Sequence, residues 1–429
     1  MDIFKNRNFM AMFLGRIITN IGDSLYMVAA VWLVYDLSGS TFYTGLAGFL
    51  SIIPRVIQFL SGPLIDKLPI KSILVYTQLI QALLLLIIPT AAYFNVLNVT
   101  LVLIITPILS TLNMFVYPAQ IAALPKIVNE DQLTKGNSLF SIAYQGIDIV
   151  CNSVAGTLIV LIGATSLYTL DSMTFLIGAI IFSFIKLPKA KKEVQQTKKS
   201  ISVSIKNYGA DLREGVKIIG HSALSRLLFG IIVVNLVIGA IFAVLPAFSD
   251  RNGGPEMYGL LLMAGAIGGL IGAFSVTPLK LEKIPLGKLY AGAFLLAGLA
   301  WALSIFTPWL WLTIAVYGFA WIPGGATNVI IFTVIQKGVP KQLIGRVTSI
   351  SIALSGIAAP LGGLLGGSLG VFTSSSVIIF FAGLAVVIVG VYWILDSTTR
   401  NLPSTEVIDE SLFGFDEDKR IPQSPSITL

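Results

Sequence analysis

Apolar residues in this chain gather into uninterrupted blocks of about 20 or more, long enough to cross a bilayer core of about 30 Å as helices. Twelve such blocks lie near 9–34, 42–65, 72–94, 98–123, 137–162, 166–187, 222–248, 256–279, 288–307, 309–335, 343–369 and 373–395. Several connections are very short, such as GATS at 163–166 and VFTS at 371–374, which forces neighbouring spans to run antiparallel. The pattern predicts an all-α membrane protein with twelve transmembrane helices.

Composition agrees with the pattern. Of 429 residues, 55% are hydrophobic and 11% charged, and mean hydropathy is +0.87. Soluble domains carry about 25% charged residues. The net charge of +7 invites a nucleic-acid reading, but its placement excludes one. Twenty-four of the 28 basic residues fall in the termini and alternate loops on one side, while the opposite loops carry only Arg251. Basic residues mark the cytoplasmic side, so both termini are expected there. The start, MDIFKNRNFM, reads as an uncleaved basic lead into the first span. One cysteine, Cys151, allows neither a disulfide nor a paired-cysteine metal site. With no phosphate-binding loop, no nucleophile–base pair and one histidine, His221, at a span edge, the chain does not read as an enzyme, and no cofactor or metal is implied.

A polar, basic stretch from 188 to 221 divides the spans six and six. The expected organisation is an N-terminal bundle at 1–187, a cytoplasmic linker at 188–221, a C-terminal bundle at 222–396 and a disordered cytoplasmic tail at 397–429. The halves resemble each other. PLIDKLPIK at 63–71 aligns with PLKLEKIPLGK at 278–288, and PKIVNEDQLTKGNS at 125–138 with QKGVPKQLIGRVTS at 336–349, at nearly one offset. Both matches occupy equivalent loops, so the halves are parallel repeats about an axis along the membrane normal.

These features resemble the major facilitator superfamily across all twelve spans. Its loop signature between the second and third spans, of the G-x-L-x-D-[RK]-x-G-[RK] type, is matched by Gly62, Leu64, Asp66 and Lys67, with Pro69 in place of a glycine and the following base at Lys71. In the family this loop is a cytoplasmic latch between the halves. The segments NRNFMAMFLGRIITNIGDSLYMVAAVWLVYDLSGS, LPKIVNEDQLTKGNS and VIQKGVPKQLIGRVTS look like drug-efflux carriers of the macrolide-exporter type, a group that also contains siderophore exporters. The glycine–proline antiporter motif of the fifth span is missing, with a partial echo, GIAAPLGG, at 356–363. The resemblance implies two six-helix bundles rocking about a central site, export of amphipathic small molecules in exchange for protons, a monomer, and residence in a bacterial inner or plasma membrane. Export of a siderophore or other metabolite, and a transporter-like receptor that moves nothing, are the rival readings.

The first span carries two charges, Arg16 and Asp23. With Asn20 they recur at i, i+4 and i+7, within about 60° of helical arc, yet about 10 Å apart along the axis. They therefore face other helices or water rather than each other. Arg55 in span two and Asp148 in span five lie at similar depth, where a charge normally faces a cavity or a partner. Asp23, Asp148 and Arg55 are the candidates for proton coupling. Polar stripes add Asn113, Tyr117 and Gln120 in span four, Gln145 in span five, Asn235 in span seven and Asn328 in span ten as cavity candidates, together with Arg16 and Asn20. Arg16 can alternatively snorkel to the surface. Tyr26, Met27, Tyr117 and Phe242 are the candidates for an apolar wall. Asp171, near the outer end of span six, reads as solvated.

Overall fold

The computed structural model describes residues 3–56, 69–187, 223–340 and 344–408. Its helices are α1 (Arg7–Ser38), α2 (Thr41–Val56), α3 (Ile70–Tyr93), α4a (Val99–Asn113), α4b (Val116–Ile127), α5 (Glu130–Ile162), α6 (Ala164–Ser183), α7 (Ala223–Arg251), α8 (Gly254–Ser275), α9 (Leu286–Ser304), α10 (Leu310–Gly338), α11 (Ile344–Phe372) and α12 (Ser375–Leu395). Counting α4a and α4b as one, ten helices among the described residues are long and apolar enough to cross a membrane. The two remaining helices are α2, described over 16 residues, and α5, whose first turns are polar.

Local chemistry sets several ends. The Asn6 side chain accepts from the backbone N–H groups of Asn8 and Phe9 and caps α1, which stops at Gly39 in the left-handed region (φ 60°). Asn98 and Ser374 cap α4a and α12 in the same way. The fourth span, expected as one helix, is broken at Met114–Phe115. Pro118 has no N–H to return to the carbonyl of Met114, so a new helix starts with the proline in its first turn.

In the N-half α6 packs against α1 and α3, and α1 against α5; in the C-half α7 packs on α11, α8 on α10 and α9 on α12. The ends holding the N-terminus, the C-terminus of α6 and the α8–α9 turn form one face, here the terminal face. There Asn6 Nδ2 donates to Ile127 O (2.6 Å), and Asn8 exchanges hydrogen bonds with the backbone of Lys186.

The halves meet along two seams, α2 with α11 and α5 with α8, which the repeat relates to one another. Both are built from glycine backbone. A Cβ on Gly45 would sit 2.2 Å from Gly363 O, and one on Gly156 would sit 2.4 Å from Gly259 Cα. Thr41 Oγ1 donates to Gly367 O (2.8 Å) and Thr44 Oγ1 to Ala243 O (2.6 Å). All these contacts lie near the far face. The glycines of α8 also serve its own half: Gly268 and Gly272 press on the carbonyls of Gly318 and Ile322 in α10.

Residues 397–408 correct the expected disordered tail. A short helix, Ser397–Arg400, is followed by a strap whose Leu402 and Thr405 are buried. Leu286 N donates to Pro403 O (3.1 Å), Thr405 N and Oγ1 donate to Glu282 O (3.1 and 2.9 Å), and Lys337 Nζ donates to Thr405 O (2.9 Å). The polar composition concealed two apolar anchors, Leu402 and Ile408, both buried. The latch residues Gly62, Asp66 and Lys67 and the linker 188–221 lie outside the described residues; Lys71 opens α3, half-buried.

Candidate functional site

A cavity of about 940 Å³ lies between the halves. The seams close it at the far face. Toward the terminal face it is open among the described residues: Gly48 and Gly269 line it, and a Cβ on either would meet no described atom within 4 Å. Met27 and Tyr117, also lining residues, remain 47% and 52% exposed.

The first helix supplies much of one wall. Its helical period brings Arg16, Asn20, Asp23, Ser24 and Met27 to the cavity together. Arg16 does not snorkel. It is 5% exposed, its Nε within bonding reach of Gln120 Oε1 (3.2 Å) and Tyr144 OH (3.0 Å), with Nη1 donating to Thr19 Oγ1 (3.2 Å). Tyr144 OH also donates to Gln120 Oε1, and the guanidinium lies 5.4 Å from the Tyr144 ring centroid. Among the described residues the arginine is thus held by neutral acceptors and a π-face.

Asp23 Oδ1 accepts from Asn113 Nδ2 (3.3 Å), and Asp148 Oδ1 accepts from Ser24 Oγ (2.5 Å). The break in α4 sets Asn113 and Tyr117 on either side of it, both facing the cavity. Asp171 departs from expectation: it is 1% exposed and lines the cavity rather than standing in solvent. Its carboxylate fits because Gly22 leaves room; a Cβ there would fall 2.0 Å from Asp171 Oδ1.

The opposite wall is aromatic. Phe242 stands 5.6 Å from Trp321 between ring centroids, and Trp321 is 5.5 Å from Trp301 and 6.4 Å from Tyr317. Tyr258 of α8 meets Trp32 of α1 at 5.6 Å across the halves. Among the described lining residues the charged groups are Arg16, Asp23, Asp148 and Asp171, all in the N-half. Among these described residues one base stands against three acids.

The structure thus gathers Arg16, Asn20, Asp23, Asn113, Tyr117 and Asp148, and all four wall candidates, Tyr26, Met27, Tyr117 and Phe242. It does not bring four others to the surface of the cavity. Gln120 sits behind the wall as the acceptor for Arg16. Gln145 is exposed and donates to Ser141 one turn back. Asn235 Nδ2 is bonded to Ile231 O on its own helix (2.9 Å), and Asn328 is exposed off the cavity. In span five Tyr144, one turn from Asp148, lines the cavity instead of Gln145. The side chain of Arg55 lies outside the described residues. Gln81, Tyr258, Tyr317 and Trp321 were not singled out in the sequence, because an amide or an aromatic ring in an apolar span carries no depth or facing signal.

Comparison with known proteins gives a consistent picture. The family described as Major Facilitator Superfamily matches residues 12–361. An uncharacterized MFS-type transporter, YvqJ of Bacillus subtilis, is 24% identical over 95% of this chain and 97% of its own length. The multidrug efflux pump Tap of Mycolicibacterium fortuitum is 25% identical over 81% of this chain and 85% of its own, and macrolide efflux protein A of Streptococcus pyogenes is 24% identical over 83% and 88%. Among solved structures, a bacterial homolog of the human lysosomal transporter Spinster superposes with a TM-score of 0.67 at 13% identity, covering 93% of this chain and 98% of that one.

Proposed function

Because the chain belongs to the Major Facilitator Superfamily, we propose that it exports amphipathic small molecules, macrolides among them, in exchange for protons by alternating access. One observation carries this reading: a central cavity with acids on the N-half wall and aromatic rings on the C-half wall, sealed at one face and, among the described residues, open at the other. The volume is at the upper end of the roughly 300–1,000 Å³ typical of ligand pockets, as a bulky ligand requires. The concentration of basic residues supports a cytoplasmic terminal face, and in that orientation the cavity takes its cargo from inside the cell. Relatives named as macrolide and multidrug efflux proteins support the direction and the cargo class. The protein works as a monomer in a bacterial plasma or inner membrane, its N-half and C-half rocking as bodies about the site.

Proton coupling falls to Asp23 and Asp148, which face the cavity, Asp23 accepting from Asn113 and Asp148 from Ser24. The test is proton flux in energised everted vesicles challenged with erythromycin. Erythromycin-evoked release of lumenal protons in the wild type, lost in Asp23→Asn or Asp148→Asn, is the expected result. Release that is unchanged in both variants overturns the assignment of these acids.

A further inference from the structure

The segment 397–408 docks on the two stretches of the C-half that repeat loops of the N-half. In the first stretch Glu282 and Lys283 align with Asp66 and Lys67; in the second Lys337 aligns with Lys126. All three C-half residues meet the strap at two neighbouring positions. Thr405 reaches Glu282 O through both its N–H and its hydroxyl, and its own carbonyl accepts from Lys337 Nζ. Glu406 Oε1 stands 3.5 Å from Lys283 Nζ. Gly287, at the end of the first stretch, lets the short helix Ser397–Arg400 lie on α9: a Cβ there would fall 2.2 Å from Thr399 O and 2.6 Å from Arg400 O. The root of the strap is also fixed. Asp396 pairs with Arg226 of α7 and accepts from Thr399 N (2.9 Å), and Trp393 Nε1 donates to Arg226 O (3.3 Å). One short segment thus joins the ends of α7, α9, α10 and α12 to the α8–α9 turn.

The exposed Lys283–Glu406 pair contributes little to this hold. Thr399 and Thr405 are buried, so their hydrogen bonds are made away from water, where they are stronger. Leu286 opens α9, where a first-turn N–H has no acceptor in its own helix, and Pro403 O supplies one at 3.1 Å. The turn held in this way continues α8, the C-half helix of the α5–α8 seam. We infer that the strap is a clasp: it makes the terminal end of α8 follow the rest of the C-half, so that movement at the seam reaches the terminal face instead of being absorbed in the turn. The inference rests on the alternating access proposed above.

The test uses the full-length protein in lipid bilayers, in a Cys151→Ser background with spin labels at the exposed Thr134 of α5 and Thr277 of the α8–α9 turn. Gly287→Ala pushes the short helix off α9, and Thr405→Val removes the hydroxyl that holds Glu282 O. Each is expected to broaden the inter-label distance distribution. Each should also speed amide exchange in the peptide from Leu281 to Leu289 by about fivefold, the effect of losing one hydrogen bond. Gly292→Ala, further along α9 with no described atom within 4 Å of the new Cβ, is the control and changes neither. A folded Gly287→Ala or Thr405→Val protein that leaves either measurement at its wild-type value overturns the inference. Should Gly287→Ala fail to fold, Thr405→Val decides by the same two measurements. Erythromycin efflux separates the clasp from the exporter reading. Turnover is expected to fall in both variants at an unchanged half-saturating concentration, because residues 397–408 do not line the cavity. Unchanged turnover beside a broadened distribution overturns the clasp's part in the cycle. A wild type that moves no erythromycin counts against the exporter, and the label distances then decide the clasp.

Discussion

Replacing Gly45 with alanine adds one methyl group at the α2–α11 seam. The new Cβ would lie 2.2 Å from Gly363 O, 2.9 Å from its carbonyl carbon and 3.4 Å from Gly367 Cα. An ordinary contact needs about 3.5 Å, so the seam must part by about 1.3 Å. All three opposing atoms are backbone, and no rotamer change can absorb the shift. Parting the seam also strains the hydrogen bonds from Thr41 to Gly367 O and from Thr44 to Ala243 O. Overpacking of this kind costs about 1–3 kcal/mol. The seam closes the far face, so the cost falls on the state that is open at the terminal face and not on the state in which the far face opens. The equilibrium should move about 5- to 150-fold toward the latter. Cys151 is the chain's one cysteine and is buried, so a Cys151→Ser background can carry spin labels at Thr134 and Thr277, exposed positions across the other seam at the terminal face. Gly45→Ala should add a shorter inter-label distance population. Gly48→Ala, whose Cβ meets nothing within 4 Å, should leave the distribution as it was. A folded Gly45→Ala protein with the wild-type distribution would refute the claim that this seam sets the equilibrium.

Three further outcomes follow from the contacts. Arg16→Lys keeps the charge but loses the planar fork that reaches Gln120, Tyr144 and Thr19, and should lower stability by about 1.5–3 kcal/mol in thermal unfolding. Leu402→Ala empties a buried anchor of the strap and should cost about 2–5 kcal/mol, read as a lower unfolding midpoint; no change would mean the strap is not held by that side chain. At Asp396, just past α12, burial acts to raise the carboxyl, but hydrogen bonds from Thr399 and the Arg226 guanidinium outweigh it and hold it below its ordinary value of 3.8. Its stabilisation is thus present above that value and lost as pH falls through the lowered one, so Asp396→Asn should flatten the acid limb of stability against pH while weakening the protein at neutral pH.

The polar stripe of the first span was legible because a helix repeats every 3.6 residues, and one face holding Arg16, Asn20 and Asp23 is improbable in lipid. Asp171 was missed for a related reason: depth was judged by distance from the span end, while its burial depends on the gap at Gly22 on another helix. Gln120 had the right helix and a near-right face, but the Arg16 guanidinium drew it behind the wall. Gln145 and Asn328, exposed and off the cavity, show that a polar stripe does not fix a face closely enough to name the lining residue.

Hydrophobic blocks, loop charges and the repeated loop pairs are properties of the chain read locally, and they suffice for the all-helical, multi-pass architecture and its six-plus-six repeat. Bilayer thickness fixes helix length, and the lack of water fixes helix as the conformation. The tertiary structure alone decided which glycines meet across the halves, which face of the cavity is shut, that the strap at 397–408 docks on the α8–α9 turn, and that Asp171 lies against Gly22. These depend on contacts between residues more than a hundred positions apart, and on gaps left by missing side chains. A sequence pattern records which side chains are present; where a helix allows its neighbour to approach is set only when both are in place.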